Sequence, residues 1–173
     1  MQHMTPAEAR ADYKKQVDAI QELLGGEWDN YDSPIAEGCA AASESGFYYR
    51  GARFRREPIA DYDAAGAAAV AYWEVRGYEV RSVAYRPTHR LVTGIAPNGT
   101  TIYLTLEDNR NRIGAEGPCN EGNWDDVSMD DLRRVKEQRR NTSPPNRRRA
   151  NRCAQIPSVI DARNLHEGRP GCT

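Results

Sequence analysis

Apolar residues cluster between Tyr13 and Leu106 and recur there with two periods. Tyr13, Val17, Ile20 and Leu24 follow one another at helical spacing, one stripe of an amphipathic helix. Thr5-Pro6-Ala7-Glu8 supplies its start: Thr5 can cap, Pro6 suits the first helical position, and Glu8 stands where a capping box needs a carboxylate. Gly25-Gly26 stops it. Residues 27–38 read as a strand plus loop anchored by Trp28 and Tyr31, and residues 47–54 as an aromatic-rich strand closed by Glu57-Pro58. Asp61 or Asp63 opens a second helix through the alanine-rich run to Val75, with Arg76-Gly77 as its stop. The period then changes to two. Residues 78–85 and 90–96 are strands, Pro97-Asn98-Gly99-Thr100 is a tight turn, and residues 101–106 alternate Ile102, Leu104 and Leu106 against Thr101, Tyr103 and Thr105. Residues 111–115 form a last short strand leading to Cys119.

This order predicts an α+β fold in two layers, an antiparallel sheet of about four to five strands with two helices on one face. The globular unit spans residues 5–122. Residues 123–140 are expected to form a short polar helix or linker, with Ser128 as cap and only Met129, Leu132 and Val135 as apolar positions. Residues 141–173 have no usable periodicity and read as a basic, poorly structured tail.

Charge divides the chain at the same place. The net charge is -1, but residues 131–173 carry +7 and residues 1–130 carry -8. An acidic body therefore bears a basic tail. Mean hydropathy is -0.82, and no run approaches the ~20 apolar residues a membrane span needs. Met1-Gln2-His3-Met4 reads as a cloning remnant in front of a trimmed native start, so an export signal is expected to have been removed.

Four cysteines, Cys39, Cys119, Cys153 and Cys172, fit disulfides, and three pairings are open. The favoured set joins Cys39 to Cys119 in the body and Cys153 to Cys172 in the tail; four separate thiols are the alternative. No C-x-x-C occurs, and His3, His89 and His166 lie far from any cysteine pair, so no zinc site is expected.

The order of features resembles the LppA-like lipoproteins of mycobacteria and related actinobacteria. It runs from a helix containing Glu8-Ala9-Arg10 through Glu27-Trp28-Asp29, then Glu37-Gly38-Cys39 in a polar loop, an aromatic strand, an alanine-rich helix ending in Gly77-Tyr78, a hairpin, and Gly117-Pro118-Cys119. The resemblance covers roughly residues 5–122. It implies export, a lipid anchor on a cysteine upstream of this chain, and a Cys39–Cys119 bond. It offers no catalytic residues, and the basic tail is not part of it.

Candidate chemistry is sparse. Phosphate-binding, dinucleotide-binding, HExxH and GxSxG patterns are missing, so no cofactor and no enzymatic activity are expected. Asp61 and Asp63 sit where a cap is expected, Glu107 and Asp108 where a turn is expected, and His89 follows Pro87-Thr88 in a turn. Tyr48, Tyr49, Tyr85 and Tyr103 are candidates for a binding surface, with alternation placing Tyr49 on the face opposite Tyr48. Arg147, Arg148, Arg149 and Arg152 are candidates for an anionic partner, although the segment after Trp124 lacks aromatic residues for base stacking. The expected function is a non-catalytic extracytoplasmic domain that binds an unknown envelope partner or ligand, held to the membrane only through the missing anchor. The alternatives are a nucleic-acid- or anionic-surface-binding protein acting through the arginine tail, and a phage-encoded surface lipoprotein that excludes a second infection.

Overall fold

A computed structural model describes residues 3–41, 44–86, 89–108 and 110–142. The first helix, α1 (Pro6–Leu24), starts in the expected capping box, in which the Thr5 amide donates to Glu8 Oε2 at 2.8 Å and Thr5 Oγ1 accepts from the Glu8 amide at 3.3 Å. It buries Ala9, Tyr13, Val17 and Ile20. The second, α2 (Tyr62–Glu74), is capped by Asp61, whose carboxylate accepts from the Ala64 amide at 2.8 Å. Its small residues Ala65, Gly66 and Ala69 face inward and let the helix lie close to the sheet.

Among the described residues nine strands form two sheets. They are β1 (Asp29–Asn30), β2 (Glu37–Ala41), β3 (Glu44–Tyr48), β4 (Arg50–Arg55), β5 (Glu79–Arg86), β6 (His89–Ile95), β7 (Thr101–Glu107), β8 (Asn111–Glu116) and β9 (Asn120–Glu121). The main sheet is antiparallel with order β1-β4-β8-β7-β6-β5; the small one has order β2-β3-β9. Both α1 and α2 pack on one face of the main sheet, over Val92, Ile102, Leu104, Leu106, Ile113 and Ala115. The fold class is thus α+β, as expected, with more strands and a second sheet.

The extra sheet arises because residues 47–54 are not one strand. Phe47 pairs with Asn120 in the small sheet, whereas Arg50 pairs with Glu116 in the main one. Between them the Tyr49 carbonyl accepts from the Gly117 amide at 2.8 Å. Pro118 has no amide hydrogen to continue the ladder, so the paired ribbon breaks there and turns into the second sheet. Cys39 and Cys119 are joined by a disulfide, Cα to Cα 6.0 Å, which ties β2 to the segment entering β9.

The third helix, α3 (Trp124–Thr142), is longer than expected and is docked, not a linker. Its cap is Asn123, whose Oδ1 accepts from the Asp125 amide at 3.0 Å; Ser128 lies inside the first turns and donates to the Asp125 carbonyl. It packs on the small sheet with Trp124 over Gly38, the indole N–H donating to the Ala36 carbonyl at 3.1 Å. Among the described residues no helix is long and apolar enough to cross a membrane.

Candidate functional site

Antiparallel pairing fixes which side chains emerge on the main-sheet face that no described helix covers. The pairs Tyr103 with Gly114 and Thr105 with Arg112 share a face, opposite Ile102, Leu104 and Ile113. Arg112 in turn pairs with Phe54 on β4. Gly114 matters here: a Cβ at that position would run into the Tyr103 ring, so the glycine allows the ring to lie across the strand.

The result is a cluster of rings and guanidinium groups. Tyr31 meets Phe54 edge to face, 5.0 Å between centroids. Arg110 lies 4.3 Å from the Phe54 centroid, and Arg112 lies 5.5 Å from Phe54 and 4.9 Å from Tyr103. Arg112 also donates to the Tyr103 hydroxyl at 2.6 Å. Two hollows share Phe54 and Arg112. One, of about 280 Å³, includes Thr105, Glu107 and Arg110; the other, of about 330 Å³, includes Tyr31, Glu37 and Arg50. Arg50 is held by Glu37 at 2.5 Å, but no carboxylate among the described residues pairs with Arg110 or Arg112.

Of the tyrosines expected to form a binding surface, Tyr103 lies in this cluster. Tyr48 stands at its margin, half-buried, with its hydroxyl donating to Glu37 at 2.9 Å; that bond, with burial behind it, raises the phenol pKa. The side chain of Tyr85 lies outside the described residues, as do Arg147, Arg148, Arg149, Arg152, Cys153 and Cys172. Arg110 and Arg112 were not singled out in the sequence; Tyr31 was read there as a strand anchor and Phe54 as an aromatic of the strand over residues 47–54. The alternation of residues 50–55 and 111–116 was the signal available for Phe54 and Arg112.

Tyr49 is a correction, for it belongs to the core. It is fully buried, its ring lies against Tyr13 and Phe47, and its hydroxyl donates to Asp131 at 2.7 Å. The break at residue 49 turns it inward, whereas simple alternation in one long strand left it open to either face. Burial, and then the bond to Asp131, push its pKa up to about 12. Burial and the nearby Asp32 carboxylate do the same to Tyr13. Both phenols hold their protons more tightly folded than unfolded. Their contribution to stability is therefore full below pH 10 and is lost as pH rises from 10 to 12. Each two-unit shift corresponds to about 3 kcal/mol. Urea titrations across that range should show a flat stability that then falls; tyrosines that all ionise near pH 10 in the still-folded protein would contradict this.

Of the candidate carboxylates, Asp61 caps α2, Asp63 pairs with Arg90, and Glu107 ends β7 instead of lying in a turn, 3.6 Å from His89, which likewise sits in a strand, β6. Among the described residues no group of three His, Cys, Asp or Glu side chains could hold a metal ion.

No protein-family profile matches the chain, and no curated protein matches it. Among solved structures it is similar to a DUF4853 family protein from Actinomyces odontolyticus, with 16% identity over 69% of this chain and 73% of that one and a TM-score of 0.48. A likeness that distant carries no argument about activity or partner.

Proposed function

We propose that the protein is a non-catalytic domain that works outside the cytoplasm and binds an envelope partner through the open face of its main sheet. The observation that carries this reading is the exposed ring-and-arginine cluster around Phe54, assembled from four separate segments of the chain. Aromatic and arginine side chains are the groups that most often anchor protein interfaces. The Cys39–Cys119 bond supports an oxidising compartment, since disulfides persist there and are rare in the cytosol. The lipoprotein resemblance agrees with that location. The arginine-rich segment, on which the nucleic-acid alternative rests, lies outside the described residues.

Site-specific photo-crosslinking tests the reading. A photoreactive residue at Thr105, on the open face, should give a discrete adduct in intact envelopes, and one at Lys15, on the outer face of α1, should not. Adducts from Lys15 alone, or from neither position, would overturn it.

A further inference from the structure

We infer that the Phe54 cluster reads a carboxylate: its occupant is a segment of a protein partner that carries a single Asp or Glu beside an apolar side chain. This rests on the open face being the binding surface and goes further by naming the chemistry. In the acidic body, arginines are mostly engaged by carboxylates. Arg53 lies between Asp18 and Asp32, Arg10 and Arg134 meet at Asp131, Arg90 pairs with Asp63, and Arg81 with Glu79. Arg110 and Arg112 are neighbours in space, both exposed, and neither has a described carboxylate partner.

Ring contacts orient them instead. A guanidinium packed on an aromatic face still offers N–H donors in a planar fork that matches a carboxylate. Arg112 gives one N–H to Tyr103 and keeps the others. Phe54, between the two cations and Tyr31, offers the apolar contact beside them. The floor is small or polar, with Ala52 in one hollow and Thr105 in the other.

Charge decides between partner classes. A polyphosphate chain or an anionic membrane would have to lie along a folded body, residues 1–142, of net -5, with Glu37 and Glu107 lining the same hollows. Long-range repulsion opposes that approach. A single carboxylate flanked by apolar residues avoids it, because exposed charges are screened beyond ~10 Å at ordinary salt whereas the contact itself is short.

A random-peptide display library selected on the full oxidised chain provides the probe. Enriched peptides should share an Asp or Glu next to an apolar residue. A synthetic copy should bind about tenfold more weakly after its acid is changed to the amide, and likewise after Arg112→Gln or Arg110→Gln. Binding should also fall with added NaCl. Arg112→Glu should shift selection to Lys- and Arg-bearing peptides, a gain that misfolding cannot produce. Peptides without acids, no enrichment, or binding indifferent to both arginines would overturn the inference. So would tighter binding to an oligothymidine or to phosphatidylglycerol vesicles. If Thr105 still crosslinks a partner in the Arg110→Gln and Arg112→Gln variant, the open face remains the binding surface and only the carboxylate reading falls.

Discussion

Asp131→Ala is expected to destabilise the protein by about 3–5 kcal/mol and to free α3 from the body, more than any other single change to a polar residue. Asp131 is only 2% exposed although it sits on a helix with few apolar residues. One carboxylate oxygen faces Arg10 and Arg134; the other accepts from the Tyr49 hydroxyl at 2.7 Å and the Ala36 amide at 3.1 Å. It thus joins α1, the segment entering β2, the residue between β3 and β4, and its own helix. Truncation leaves a partly buried guanidinium, a buried phenol and a buried amide without their acceptor, and unpaired buried groups are the expensive outcome. Asp131→Asn should cost less, since its one carbonyl oxygen still accepts, but the amide hydrogens then face donors. Urea denaturation measures the loss, and hydrogen exchange localises it: protection should vanish across α3 before it falls in β7 and β8. Uniform loss everywhere, or a change under 1 kcal/mol, would show that α3 is held by Trp124 and not by this carboxylate.

That residue also marks where the sequence stops being readable. The amphipathic stripe of α1, the alanine run of α2 and the hairpin of β6 and β7 were legible because each signal is local: a period, a cap, a turn at Gly99 with its positive φ. α3 was read as marginal because its docking uses a buried aspartate, which looks like solvent-facing charge in any hydrophobicity pattern. β2 was missed because Glu37-Gly38-Cys39-Ala40-Ala41 has no β-branched or aromatic residue and is held by pairing with β3 and by a disulfide. The ring-and-arginine cluster was only partly visible, through Tyr103. Phe54, Arg110 and Arg112 come together by strand register, a non-local property that no spacing within one segment reveals.

Removing the disulfide, as Cys39→Ser with Cys119→Ser, is expected to cost about 4–5 kcal/mol, because the bond closes a loop spanning a sequence separation of 80. That loop contains β3 to β8 and α2, so without the bond the unfolded chain gains the freedom of most of the body. The folded protein loses something as well. β9 has two residues and β2 is a sheet edge, and so small a sheet has little stability of its own. Calorimetry with and without reductant should show the lower transition, and the double serine variant should match the reduced wild type. The same small sheet is the floor on which α3 rests, so the effects of Asp131→Ala and of the serine pair should not add. Once the sheet is loosened, the carboxylate has less ordered structure to hold, and the combined loss should fall short of the sum. Full additivity would mean that α1 and the core, through Arg10 and Tyr49, carry α3 without help from β2 and β3.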